Sequence, residues 1–549
     1  MPVETEFKFS SRRSPVYGMG GMVAASQPLA AAAGLEILAQ GGNAADAAIA
    51  AAAALNVTEP TSTGLGGDCF ALYYEASSGQ ITALNGSGRA PASLSLERLH
   101  KEGFTGVLPL FHPYTITVPG ACAGWCDLLE RHGHLSLNRV LAPAIHLAEQ
   151  GYPVAPITAY FWGRSANRLS KVPGGSELTI DGRAPQAGEI FRNSGLARTL
   201  KKIVEGGKSA FYQGAIAEAI ARVIQQAGGC MTVDDLAAHT SSWEQPISTT
   251  YHGVRLWECP PNGQGLAALL ALNLLEGYEL NSMPALSARR LHLMIEAMRL
   301  ALADTRWYVA DPGFNPAPLG QLLSKDYAAM RRRLINPQRA TLNQLHGTPI
   351  SSSDTVYLTT ADADGNACSF INSNYMGFGT GIVPPGWGFS LQNRGLGFSL
   401  DPDHPNALAP GKRPYHTIIP AMLTIDAGEN STIPNILYAS LGVMGGFMQP
   451  QGHMQVVVSL VDDALDPQAA LDQPRFCIED GSAGGRVALE EGIPVEVQAD
   501  LSRRGHETYL VNGNARAVFG RGQIIRREAA TGVLCGGSDP RADGCVISL

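Results

Sequence analysis

The chain has 549 residues, of which 45% are hydrophobic and only 16% charged, against roughly 25% charged in an average soluble domain. That composition allows a large packed core and excludes wholesale disorder. The net charge is −8 with no run of five or six like charges, which argues against a nucleic-acid binder and against a polybasic membrane anchor.

Pro28 opens an Ala/Leu-rich helical segment that stops at Gly41-Gly42, and Asn43 is placed to cap a second helix running to about Asn56. A hairpin is predicted over Phe70 to Glu75 and Ile81 to Leu84, turning at Ser77-Ser78-Gly79. Helices follow over Leu135 to Gln150, Ile216 to Ala227 and Ser287 to Ala303. Near residue 350 the character changes. His346 to Asp354 is polar and turn-rich, Thr355 to Thr360 is a β-branched run, Asp362 to Asn366 is a turn, and Ala367 to Ser373 returns as a second strand. Gln455 to Leu465 reads as helix and Ala517 to Arg526 as strand. Helices and hairpins in alternating blocks predict a layered α/β or α+β fold, without a solenoid repeat.

The nine cysteines lack the paired spacing of a zinc site and read as free thiols in a reducing compartment. No apolar stretch of useful length follows Arg12-Arg13, and the longest, Ala47 to Leu55, is too short to span a bilayer. The expectation is a cytoplasmic protein with neither secretory signal nor membrane segment. Phosphate-loop, zinc-protease, serine-elbow and dinucleotide motifs are all missing, so no metal and no cofactor are expected. The thirteen histidines, without regular pairing, read as structural or surface residues. What stands out is the Asp354-Thr355 junction at the head of a hairpin and the glycine-rich run Gly442 to Phe447.

Several further motifs occur in one order along the chain: Gly41 to Asp46, Thr117 to Ala121 with Gly124-Trp125, Leu141 to Ile145, Asp362 to Asn366 and Phe378 to Gly381. Pro410 to Pro414, Gly445-Gly446, Gly537 to Arg541 and Asp543-Gly544 complete the series. In these the chain resembles the gamma-glutamyltransferase family of N-terminal nucleophile hydrolases over nearly its whole length. The resemblance implies a four-layer αββα sandwich, made as one inactive precursor that cuts itself before a threonine. Counting back from the Asp362 turn places that threonine at Thr355, with the cut between Asp354 and Thr355. Residues 1–354 would form a large subunit and 355–549 a small catalytic one, associated as a heterodimer in one intertwined domain. Taken alone, Asp354-Thr355 says no more than the start of a strand. The chemistry nonetheless suits the residue: a threonine hydroxyl needs a base, and a newly freed α-amine, with a pKa of about 7.7–8.0, can be that base. The resemblance also implies an oxyanion hole at Gly445 and Gly446, and a hydroxyl at Ser373 that touches the nucleophile's amine.

The pocket departs from the family's pattern. Where an arginine usually meets the γ-glutamyl α-carboxylate stands Ser87, with Arg89 two residues later. The usual serine pair after Lys-Arg-Pro is His416-Thr417, the polar residue expected after Ser373 is Tyr375, and the run of amino-group acceptors is replaced by Leu391 to Phe398 with Arg394. Arg394 turned inward would invert the charge of the amino subsite; turned outward it would be an ordinary surface arginine. The first reading is therefore an autoprocessed amidohydrolase acting on a small carboxylate-bearing amide, oxamate-like or glutaryl-like, with Arg394, His416 and Thr417 binding the acyl group. One alternative is glutathione hydrolysis or γ-glutamyl transfer with Arg89 as the carboxylate anchor. Another is a non-catalytic binding relative that never cleaves.

Overall fold

The computed structural model describes residues 13–342, 354–429 and 431–549, residue 354 by its backbone alone. Two seven-stranded sheets, antiparallel throughout, stack face to face. The first runs in the order Val16–Gly18, Leu534–Ser538, Arg521–Arg527, Asn435–Met444, Ala421–Asp426, Val254–Glu258, Ile247–Tyr251. The second runs Cys545–Ser548, Gly21–Ala25, Asp354–Asp362, Ala367–Tyr375, Asp68–Glu75, Gln80–Gly86, Ser242–Glu244. Each sheet mixes strands from both sides of residue 354, so neither segment could keep its sheets without the other.

The layers follow from the period of two in a strand. Along Asp354–Asp362, Val356 and Leu358 pack into a core shared with the helices Pro28–Ala39 and Ala44–Thr58. Tyr357 and Ala361, on the opposite face, join Met422, Met444 and Ile525 between the sheets. Helices Leu266–Leu275, Ala288–Tyr308 and Met448–Val461 cover the first sheet over Leu423, Leu441 and Ile524. The result is the αββα order expected from the resemblance. Every residue of Ala44–Thr58 is buried, which its alanines permit because small side chains allow packing on all sides. Asn43 caps this helix in a reciprocal box with Asp46, and Asp362 Oδ2 accepts the Ala44 N–H at 3.0 Å. Two motifs far apart in sequence, Gly41–Asp46 and Asp362–Asn366, thus meet at one helix end.

Two predicted elements are displaced. The helix expected from Gln455 begins at Met448 and ends at Val461. Its first turns carry glutamines that read as loop, yet Gln451 and Gln455 are buried and donate to the carbonyls of Ile478 and Phe476 at 3.0 Å. The strand expected from Ala517 starts only at Arg521, because Gly513–Phe519 forms a 3-10 turn. The polar stretch before Thr355, residues 343–353, lies outside the described residues.

Candidate active site

Thr355 stands at the head of its strand, just where the register against Ala367–Tyr375 shifts between Asp354 and Val356. Such a bulge re-aims a side chain at a sheet edge. Thr355 is fully buried, with its hydroxyl 3.2 Å from Ser373 Oγ. Gln449, in the first turn of Met448–Val461, donates from Nε2 to Thr355 Oγ1 at 3.4 Å. Its Oε1 accepts the Ile419 N–H at 3.0 Å, so the amide is oriented with its donor end toward the threonine.

Gly445 and Gly446 link the strand Asn435–Met444 to that same helix, with φ of +132° and +61°, conformations that favour glycine. Their carbonyls accept the Met448 and Gln449 N–H groups, and Gln264 Nε2 holds the Gly446 carbonyl at 2.8 Å. Among the described residues neither glycine N–H donates a hydrogen bond. Two unengaged backbone donors at the start of a 14-residue helix, next to a residue that touches Thr355, suit a developing oxyanion.

Arg394 is fully buried and turned inward. Its Nη2 reaches Ser373 Oγ at 3.3 Å, its Nη1 donates to Thr417 Oγ1 at 2.7 Å, and its guanidinium lies 4.4 Å over the Tyr375 ring. Tyr375 holds φ of +76°, and its N–H donates to Ser373 Oγ at 2.9 Å. Among the described residues no acceptor faces Arg394 Nε. Burial lowers the Arg394 pKa to about 10, with the nearby Asp68 charge opposing the shift.

Asp68 is spoken for. Its Oδ1 accepts from Gly88 N, Gly120 N and Gln392 Nε2 at 3.0–3.1 Å, and its Oδ2 from His416 Nε2 at 3.0 Å. Burial would raise this carboxyl, but the hydrogen bond from His416, the Arg394 charge and the hydrogen bond from Gln392 outweigh it and hold the pKa below the ordinary value. His416 is pushed down to about 3, first by burial and then by Arg394. It is thus neutral, donating from Nε2 to Asp68, while Nδ1 accepts the Ile418 N–H at 3.4 Å.

The structure therefore gathers Thr355, Ser373, Arg394 and Thr417 by direct contacts, while His416, directly before Thr417, is turned to Asp68. Arg89 stands apart: it is only partly buried, and its Nη1 donates to the Thr240 carbonyl at 3.2 Å. The position two residues before it, Ser87, is buried against Asn262 Nδ2 and Arg413 Nε. Sequence reasoning passed over Asp68, Gln392, Gln264 and Gln449. Asp68 directly follows the cluster Gly64 to Gly67, whose glycines lack dinucleotide-binding spacing, and Gln449 follows the glycine pair by three positions. It also missed a buried trio remote from Thr355 in the chain, His292, Glu296 and His506, whose potential ligand atoms lie within 4.8 Å of one another. The His292-to-Glu296 spacing on one helix was the available signal. Both ring nitrogens of His292 are already engaged, by His506 Nε2 at 2.8 Å and the Asn336 carbonyl at 2.7 Å.

A buried strand-leading threonine in an αββα sandwich, with a hydroxyl neighbour and unengaged backbone donors, defines a hydrolase of the N-terminal nucleophile class. The chain belongs to the gamma-glutamyltranspeptidase family, whose model matches residues 30–549. It is 36% identical over 541 residues to the glutathione hydrolase-like YwrD proenzyme of Bacillus subtilis (strain 168), covering 97% of this chain and 99% of that protein. It is 32% identical to the oxamate amidohydrolase proenzyme of Klebsiella pneumoniae subsp. pneumoniae, covering 95% of this chain and 97% of that protein. The crystal structure of cephalosporin acylase from Bacillus halodurans superposes with a TM-score of 0.91 at 47% identity, covering 100% of this chain and 99% of that one. No helix among the described residues is long and apolar enough to cross a membrane.

Proposed function

We propose that the chain matures by cutting itself between Asp354 and Thr355, and then hydrolyses small amides whose acyl group carries a carboxylate but no α-amino group. The observation that carries the reading is Arg394. Among the described residues seven arginines are buried, and six of them lie within 3.7 Å of a carboxylate: Arg290, Arg299, Arg413, Arg475, Arg521 and Arg541. Of these seven Arg394 alone has no ion-pair partner among the described residues, and it is the one that borders the Thr355 hydroxyl pair. A buried uncompensated guanidinium is costly, and a substrate carboxylate meeting it bidentately would remove the cost. A substrate ammonium would instead face a like charge, and Asp68, already holding four donors, is no ready acceptor for it.

Maturation begins with Thr355 Oγ1 attacking the Asp354 carbonyl carbon. The C–N bond breaks, the nitrogen takes a proton, and water then opens the ester, leaving Thr355 with a free α-amine. In turnover that amine accepts the hydroxyl proton as Oγ1 attacks the substrate amide. The N–H groups of Gly445 and Gly446 receive the oxyanion, while Gln449 and Ser373 hold the attacking oxygen in place. The amine product leaves with the proton, and water releases the acyl group by the same route. The fragments 1–354 and 355–549 stay together because their strands alternate within both sheets.

Intact-mass analysis of purified protein should find a fragment beginning at Thr355, and Thr355→Ala should remain full length. The processed enzyme should hydrolyse glutaryl or oxalyl anilide, each with a free carboxylate on the acyl group, with at least tenfold higher kcat/KM than γ-glutamyl anilide. Equal or better turnover of the γ-glutamyl compound would overturn the acyl assignment. Cleavage of Thr355→Ala at the same bond would overturn self-processing.

A further inference from the structure

The helix Ala288–Tyr308 carries His292 and Glu296 one turn apart, so both side chains leave it on one face. That face meets His506, in the link between the helix Val495–Arg503 and the strand Thr508–Val511. The three residues are 0, 2 and 2% exposed, and one potential ligand atom from each lies within 4.8 Å of the other two. Their hydrogen bonds do not close on themselves. His292 Nε2 faces the Asn336 carbonyl at 2.7 Å and must carry the proton, so its Nδ1 accepts from His506 Nε2 at 2.8 Å. His506 Nδ1 is then a lone pair without a donor, and Glu296 Oε1 has no hydrogen bond either, among the described residues. The other carboxylate oxygen, Oε2, accepts the Thr341 N–H at 3.0 Å. Burial lowers the pKa of His292 and brings that of His506 to about 3, so both imidazoles are neutral, the form that binds a metal ion.

We propose that His292, Glu296 and His506 bind a zinc ion. Two imidazoles and one carboxylate, with a fourth position left to water, are a ligand set that zinc takes. His292 keeps its Nε2–H on the Asn336 carbonyl, the support a ligating imidazole ordinarily has, and offers Nδ1. His506 offers Nε2 once its proton moves to Nδ1, and that shift breaks only its bond to His292. The ligating nitrogens then stand about 3.3 Å apart around the ion, against 2.8 Å without it. Glu296 supplies the negative charge. Burial raises its pKa, opposed by the Thr341 N–H and the Arg299 charge, and a bound cation restores the carboxylate. Arg299, whose Nε is 3.7 Å from Glu296 Oε1, and Arg504 oppose a cation here. That counts against calcium or magnesium, which need several oxygen ligands, and leaves an ion held chiefly by imidazole nitrogen. The ion would join the two sides of the proposed cut, with His292 and Glu296 before it and His506 after it. The site itself does not need the cut.

The test uses tag-free full-chain protein, stripped with a chelator, reloaded with Zn²⁺ and desalted, with metal content read by mass spectrometry. Wild type should retain about one zinc per chain. His506→Asn should retain none, and Glu296→Gln, which still accepts the Thr341 N–H, should bind zinc at least tenfold more weakly. Zinc should raise the unfolding midpoint of stripped wild type by ~2 °C or more and leave that of both variants unchanged. Co²⁺ in place of zinc should give the visible absorption of a four-coordinate ion in wild type alone. Wild type that retains less than about half an equivalent overturns the site. So does zinc retained equally by wild type and Glu296→Gln, since the ion would then sit elsewhere. If His506→Asn does not fold, Glu296→Gln decides alone. Thr355→Ala carries the same trio and should bind zinc as wild type does, so failure of self-cutting or of the amidase reading leaves this test intact.

Discussion

At the C-terminal end of the chain Arg541 is enclosed by acceptors: Glu490 at 2.6 and 2.7 Å, Asp539 at 2.9 Å, and the carbonyls of Leu471 and Gln473. Arg394 is as deeply buried, but it touches two hydroxyls and a ring and has no carboxylate in ion-pair range among the described residues. The consequence shows in their proton affinities. Burial acts to lower both, yet Asp539 and Glu490 reverse it and raise Arg541, whereas Arg394 is left at about 10. A buried charge that the protein itself compensates belongs to the fold. On the proposed reading, one left uncompensated beside Thr355 is held for a substrate carboxylate.

Crossing the two sites should break that contrast if it is wrong. Arg541→Met leaves Glu490 and Asp539 buried with one guanidinium each, Arg516 and Arg475, and should cost about 3–5 kcal/mol, visible as a large drop in unfolding midpoint or as insoluble protein. Arg394→Met should change stability by no more than about 1 kcal/mol, since Asp68 keeps its four donors, while kcat/KM on the carboxylate amide falls by ~10² or more. Equal destabilisation by the two substitutions would make Arg394 a structural brace. A smaller and more local effect is expected at Gly446→Ala. Its φ of +61° costs an L-residue roughly 1–2 kcal/mol, which the fold should survive. A displaced amide should still lower kcat by ~10² in the processed fraction with little change in KM. Unchanged kcat there would place the oxyanion donors elsewhere.

The fold was legible because its signals are local and repeated. The Asn43–Asp46 cap, the alanine-rich helix behind it and the alternating strand from Thr355 each declare themselves within a dozen residues. The surroundings of Thr355 were only half legible. Ser373 and the glycine pair came through their place in a motif series, but Gln449 and Asp68 act through partners 94 and 348 positions away, and no local pattern marks such pairings. Arg394 illustrates the boundary. Sequence could show that an arginine had replaced acceptors, whereas its direction depends on Tyr375 beneath it and Thr417 beside it, which only packing decides. Asp68 altered the reading most, since its donors make His416 a support for the carboxylate rather than a donor for the substrate.

The smallest expected effect concerns His416 and sharpens the same contrast. Its pKa in the folded chain is about 3, against about 6.5 for a free histidine, because burial and then the Arg394 charge oppose its protonation. Between these values the unfolded chain binds a proton that the folded chain refuses, so stability falls as pH is lowered, by at most about 1.4 kcal/mol per pH unit for this one residue. His506 and His239, both at about 3, tilt the profile the same way, while Glu59, raised by burial to about 7, tilts it the other way between 7 and 4.5. His416→Gln should therefore make the decline of urea-unfolding free energy between pH 6.5 and 5 shallower by about one proton. Arg394→Met, which removes the second cause but not the first, should make it shallower by a fraction of a proton. Arg541→Met is out of contact with His416 and should lower the whole curve without changing its slope there. A slope unchanged in His416→Gln would mean that His416 is protonated in the folded chain, and a neutral imidazole donating to the Asp68 carboxylate would have to be abandoned.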